Sequence, residues 1–76
     1  MLKAGMKRKL NLMSSKLLDI RSRIWMNGSD VRLYTGRGYV CIDKYGDFDL
    51  NYLPDCPAKQ RVISIIKDTK GWKIGK

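Results

Sequence analysis

Two glycine-bearing turns inside one alternating stretch constrain this chain more than any other feature. Between Val31 and Asn51 apolar and polar residues alternate, the period of a strand with one buried face. Gly36-Arg37 is a Gly-X pair, which suits a two-residue type II′ hairpin turn. It sets Tyr34 opposite Tyr39 and Leu33 opposite Val40. Lys44-Tyr45-Gly46 fits a three-residue loop with glycine at the left-handed bulge position. It sets Ile42 opposite Phe48 and Val40 opposite Leu50. A two-residue turn there would put Ile42 opposite Asp49 and break the pattern. With this choice both hairpins agree on faces. Val31, Leu33, Val40, Ile42, Phe48 and Leu50 share one; Arg32, Tyr34, Tyr39, Cys41, Asp43, Asp49 and Asn51 share the other. The sequence therefore predicts a three-stranded antiparallel meander.

The flanks read as helix. Leu2, Met6, Leu10, Met13, Leu17, Ile20 and Ile24 recur every three or four residues, one helical face that Leu18 and Trp25 widen. Gly5 and the cluster Lys7-Arg8-Lys9 weaken the first turns. The helix is therefore placed at residues 14–26, with residues 2–13 as an extension and residues 1–12 as a basic arm prone to fraying. Asp19 and Arg23 are set to pair one turn apart, and Asn27-Gly28 to end the helix. Pro54-Asp55-Cys56-Pro57 starts a second helix, with Asp55 as N-cap and Pro57 in the first turn. Its apolar face is Ala58, Val62, Ile65, Ile66 and Thr69, and Gly71 stops it. Trp72-Lys73-Ile74 is either a short fourth strand or a tail whose Trp72 covers the core. The expected fold is an α+β two-layer domain: helix, three-stranded antiparallel meander, helix.

Size and composition bound the function. The 76 residues make a single small domain with room for one core and no deep cleft. The chain has no His and no Glu, which weakens most catalytic and metal readings at once. Cys41 and Cys56 lack a zinc-site spacing and are expected as free structural thiols, as in a reducing compartment. Asp43, Asp47 and Asp49 are close in sequence but lack the ligand spacing of a calcium loop, and turn chemistry accounts for them. No enzyme activity, metal or cofactor is expected. No stretch is long enough to span a membrane. Residues 1–18, acid-free and amphipathic, also describe a mitochondrial presequence, but their removal would leave too little chain to fold. The amphipathic basic helix could also lie on an anionic membrane, although a core helix with a basic outer face explains it as well.

Charge is sorted along the chain. Residues 1–26 carry +6, residues 27–56 carry −2 and residues 57–76 carry +5, giving +9 in all. That exceeds the roughly 2–8 usual for small soluble domains and points to a polyanion. The candidate nucleic-acid-binding residues are Lys7, Arg8, Lys9, Lys16, Arg21, Arg23, Lys59, Arg61, Lys67, Lys70 and Lys73. They fall on helices and termini, so the helix side is expected to meet phosphates. Arg32, Tyr34, Tyr39, Asp43 and Asp49, on the other sheet face, are the candidates for a protein interface.

The helix–three strands–helix order over residues 14–70 resembles the double-stranded RNA-binding domain, in topology alone. Thr35-Gly36-Arg37-Gly38 stands where that family carries a Gly-Pro-x-His loop and has neither Pro nor His. The start of the second helix offers only Lys59 and Arg61 for the family's Lys-rich run. No binding residue is carried over. The expectation is a small, basic, non-enzymatic protein that contacts nucleic acid mainly through phosphates. Its character is that of a phage or mobile-element accessory product, located in the cytoplasm or packaged in a virion. The alternative is a small inhibitor that docks on a host protein through the sheet face.

Overall fold

Register decides the architecture. In the computed structural model, which describes residues 2–27 and 30–75, α1 (Leu2–Lys16) precedes four strands, β1 (Arg23–Asn27), β2 (Asp30–Tyr34), β3 (Tyr39–Ile42) and β4 (Phe48–Asp49), and α2 (Pro57–Asp68) follows them. The sheet is antiparallel in the order β1-β2-β3-β4, with a helix at each end of the chain. This is a small α+β domain. No helix among the described residues is long and apolar enough to cross a membrane.

The meander forms as the turns dictate. Tyr34 pairs with Tyr39, Leu33 with Val40 and Ile42 with Phe48. Gly36 has φ +92° at the first central position of its turn, and no described non-glycine residue has positive φ. Positive φ at the first central residue alone is what a II′ turn requires. The second loop closes through Asp43 N–H to Asp47 O at 2.9 Å, with Gly46 at φ +85°. Val31, Leu33, Val40, Ile42, Phe48 and Leu50 are all buried under the helices.

The N-terminal third differs from expectation. The helix occupies Leu2–Lys16, not residues 14–26, and takes in most of the expected arm. Residues 23–27 form a fourth strand instead, paired in full with β2 from Arg23↔Tyr34 to Asn27↔Asp30. Two causes are visible. The Ser15 hydroxyl bonds back to Leu12 O at 2.8 Å and Ser14 Oγ meets Ser22 Oγ at 3.1 Å, side-chain bonds that compete with helix continuation. Beyond them, Ile24-Trp25-Met26 is β-branched and aromatic, and β2 offers it a complete ladder. Asn27 thus ends a strand rather than a helix, and Gly28 lies outside the described residues. Asp19 pairs with Arg61 at 3.1 Å, not with Arg23. Leu18 is 89% exposed and does not widen a core face. The extra strand also takes the topology away from the helix–three strands–helix order of the double-stranded RNA-binding domain.

The C-terminal half needs smaller corrections. The residue capping α2 is Cys56 rather than Asp55, which pairs instead with Lys59 at 3.5 Å. Ala58, Val62, Ile65 and Ile66 are buried as expected, while the Thr69 hydroxyl donates to Ile65 O at 2.8 Å. The helix ends at Asp68, and Gly71, at φ +88°, turns the chain after it. No full C-terminal strand forms. The tail makes one parallel bridge, Ile74 with Phe48, through Phe48 N–H to Lys73 O at 2.9 Å and Gly75 N–H to Phe48 O at 2.7 Å. Trp72 packs on the Phe48 ring at 4.8 Å.

The core is one cluster drawn from every element except β1, which adds a half-buried Ile24. Phe48 is its largest fully buried side chain. A domain of 76 residues has roughly 4–11 kcal/mol of stability in all. Phe48→Ala, costing about 3–5 kcal/mol, should therefore remove a large share of that stability and lower the melting temperature by more than about 12 °C.

Two glycines should respond oppositely in thermal melts. Gly5, inside α1, has open space around it, so Gly5→Ala should add about 0.5–1 kcal/mol and raise the melting temperature by several degrees. A Cβ on Gly38 would overlap the Tyr52 carbonyl oxygen and crowd Leu53 Cα at 3.1 Å. Gly38→Ala should cost about 1–3 kcal/mol.

Candidate nucleic-acid interface

α1 packs on the sheet, α2 packs against α1, and both join the core cluster on one face of the sheet, so the side chains of the other face are left to form a surface. The register orders that surface in rows. One row runs Arg23, Tyr34, Tyr39. The next runs Trp25, Arg32, Cys41, Asp49. Asp30 lies beyond, opposite Asn27.

Arg32 organises the middle. Its Nη2 meets Asp30 Oδ2 at 2.9 Å and its Nε donates to Asp30 Oδ1 at 3.3 Å, a two-pronged pair. Nη1 donates to the Tyr34 hydroxyl at 3.3 Å. The guanidinium also lies 4.4 Å from the Tyr39 ring centre and 5.4 Å from that of Trp25. The hydrogen bonds to Tyr34 and Asp30 raise the Arg32 pKa further, so this cation is permanent.

Aromatic rings continue the surface on both sides. Trp25 meets Tyr34 edge-on at 6.4 Å, Tyr34 meets Tyr39 at 5.5 Å, and Tyr39 stacks on Tyr52 at 4.9 Å with planes 7° apart. Tyr39 is engaged by both Tyr52 and Arg32. Loss of water around its hydroxyl raises its pKa, against the pull of the Arg32 charge. Within this aromatic series the rings that reach solvent are Trp25, 38% exposed, and Tyr52, 53% exposed; Tyr45, in the β3–β4 loop beside the acidic residues, stands apart from it. Sequence reasoning singled out Tyr34 and Tyr39 and missed these two. Trp25 was hidden by the helical reading of residues 14–26. The alternation of Arg23, Trp25 and Asn27 against Ile24 and Met26 was the signal that could have found it.

Charge on this face is graded. Arg21, Ser22, Arg23, Tyr34, Thr35 and Gly36 line a shallow hollow of about 370 Å³ at one end, beside Arg37 in the turn. Asp43, Asp47, Asp49 and Asn51 line a second of about 340 Å³, with Lys73 and the C-terminal tail. Asp43 is occupied locally: its Oδ1 accepts the Tyr45 N–H at 2.9 Å and the Asp47 N–H at 3.0 Å. Asp49 Oδ1 accepts the Asn51 N–H at 3.0 Å. Among the described residues no three acids or cysteines converge to hold a metal ion.

The eleven basic candidates divide three ways. Lys9 is half-buried, donating to Gly46 O and lying 5.8 Å from the Phe48 ring centre, so it ties α1 to the β3–β4 loop. Lys59 and Arg61 are paired with Asp55 and Asp19. Lys7, Arg8, Lys16, Arg21, Arg23, Lys67, Lys70 and Lys73 are exposed and make no ion pair among the described residues. The structure brings only Arg21 and Arg23 together in one hollow, and places Arg23 on a strand rather than a helix. Of the protein-interface candidates, Arg32, Tyr34 and Tyr39 form one cluster, while Asp43 and Asp49 belong to the acidic hollow.

Comparison of the chain with known protein families, curated proteins and solved structures returns no match.

Cys41 and Cys56 are unpaired; Cys56 packs against the core and Cys41 sits among the open-face side chains. Burial, then the Asp49 carboxylate, push the Cys41 thiol from its ordinary value near 9 up to about 11. The folded state thus holds this proton more tightly than the unfolded chain. Its contribution to stability is complete below pH 9 and is lost as the pH rises through about 11. Melting curves across that range should show the parent losing stability relative to Cys41→Ala. At pH 8, iodoacetamide should label Cys41 far more slowly in the folded protein than in urea, as read by site-resolved mass spectrometry.

Proposed function

We propose that this chain is a small non-enzymatic protein that binds single-stranded nucleic acid, held mainly through phosphates. One observation carries the reading. Besides the eight exposed cations above, Arg37 and Lys44 are also exposed and make no ion pair among the described residues, so ten Lys and Arg are available to an anion. Such an excess binds phosphate oxygens and releases counterions. Lys16, Arg21 and Arg23 follow one another from the end of α1 to the edge of the sheet, which links the helix side to the open face. There the exposed rings of Trp25 and Tyr52 favour unpaired bases, which can stack on them.

A second reading, docking on a protein through the open face, is favoured by Arg32, Trp25, Tyr34 and Tyr39. These residue types anchor interfaces, and here they are already held in one cluster. A stoichiometric protein complex that survives high salt and is lost in Arg32→Ala would support it over the first.

Fluorescence anisotropy with labelled single strands and duplexes tests the proposal. If about six phosphates are neutralised, affinity for a single strand should fall by roughly 300-fold between about 50 and 200 mM salt. Arg21→Ala with Arg23→Ala should reduce the slope of log affinity against log salt by about 1.4. Trp25→Ala should narrow the preference for single strand over duplex. Absence of binding at about 50 mM salt, or binding without salt dependence, sinks the reading.

A further inference from the structure

The two edges of the sheet are treated differently. At β4 the chain's own tail covers the edge, with Phe48 bonded to Lys73 and Gly75. At β1 nothing does. Thr35 N–H donates to Gly38 O, and hydrogen-bonded pairs alternate, so Leu33 faces β3 while Arg32 and Tyr34 face β1. Their partners Trp25 and Arg23 therefore face inward, and the N–H and C=O groups of Ile24 and Met26 point out of the sheet. Among the described residues these four groups have no backbone or side-chain partner. The edge is lightly guarded: β1 has no Lys and no Pro, Arg23 at its start is its one charge, and the β1–β2 register runs without a bulge.

We propose that β1 pairs with β1 of a second copy, antiparallel about a two-fold axis through Trp25. In that register Ile24 faces the partner's Met26 and exchanges both backbone bonds with it. The reverse pair does the same, so all four orphan groups are satisfied. Side chains agree with the backbone. Ile24 and Met26 meet on the helix side, apolar against apolar. Trp25 meets the partner's Trp25 on the open face. Arg23 comes beside the partner's Asn27, whose neighbour across the ladder is an acid, Asp30, rather than another cation. The result is an eight-stranded sheet with one continuous open face, to which each copy contributes its Arg32 cluster.

The contact is small. Each copy has 5219 Å² of surface, and committing roughly a tenth of it gives ~1,000 Å² in all, the lower bound for a specific interface. An interface of that size belongs to the weak, reversible class. Two copies of charge +9 repel, so added salt strengthens the dimer. This is the opposite of its effect on nucleic-acid binding, and no nucleic acid enters the test.

Sedimentation equilibrium of the full chain at about 0.1 and 0.5 M salt should show a monomer–dimer equilibrium that tightens with salt. Met26→Pro removes an outward N–H, a position where an edge strand tolerates proline. It should weaken the dimer at least about 100-fold with an unchanged circular dichroism spectrum. Met26→Lys, an exposed side chain, gives the same reading should the proline variant unfold. The register has its own test. Facing residues of a non-hydrogen-bonded pair have Cα atoms about 4.5 Å apart, within disulfide range. In a Cys41→Ser, Cys56→Ala background, Trp25→Cys should oxidise to a covalent dimer and Arg23→Cys should not. A chain that stays monomeric at all concentrations overturns the proposal. So does a dimer that Met26→Lys leaves intact, or one that Trp25→Cys fails to cross-link.

Discussion

Three separate parts of this small protein meet at Phe48. Its ring is fully buried and carries Trp72 on one contact and the Lys9 ammonium on another. Its strand neighbour is Ile42, and its own N–H and C=O hold the tail at Lys73 and Gly75. That ring is a packing partner common to α1, the β3–β4 hairpin and the chain after α2. A two-residue strand is too short to hold a sheet edge alone. The tail completes it, and the buried aromatic makes the tail stay. The acidic hollow of the open face, built on β4 and this tail, rests on that anchoring.

The legible and illegible parts of the fold separate on physical grounds. The meander was legible because two turns with glycine constraints leave one register in which a single face is apolar. Gly36 and Gly46 have the positive φ that those turns require, and the buried face contains the expected residues. The N-terminal third was misread because burial and conformation diverge there. Met6, Leu10, Met13, Leu17, Ile20 and Ile24 do all pack against the core. Their helical spacing continues past the helix only because a turn and then a strand return to the same core face. Periodicity reports which side is apolar; it cannot tell a helix from a helix, turn and strand that keep the phase. The local cues were Ser14-Ser15 and the β-branched and aromatic run at Ile24-Trp25. The candidate site inherited the error: Arg23 and Trp25 were placed on a helix and are open-face residues on β1. The Arg32 network was out of reach for another reason, since it depends on cross-strand distances that only the β1–β2 register supplies.

Charge sorting along the chain becomes a spatial gradient once the fold is known. The acids of the middle segment gather at the Asp43 end of the open face, partly consumed by their own loop amides. Arg21 and Arg23 face the other end. Arg32 stands between them, its charge matched by Asp30 and its plane shared with aromatic rings. The open face is thus a surface with a direction rather than a uniform patch, and a linear polymer laid across it would meet unlike ends.

The strand order β1-β2-β3-β4 follows the sequence, so each strand lies beside its neighbour along the chain. That arrangement asks little of a searching polypeptide. Short loops close at small entropic cost, and pairing can propagate from either glycine turn without waiting for distant segments. Bringing α1 and the tail, far apart in sequence, against the same aromatic ring closes much longer loops. The larger loop-closure cost of the fold therefore falls on the contacts to Phe48, not on the hairpins.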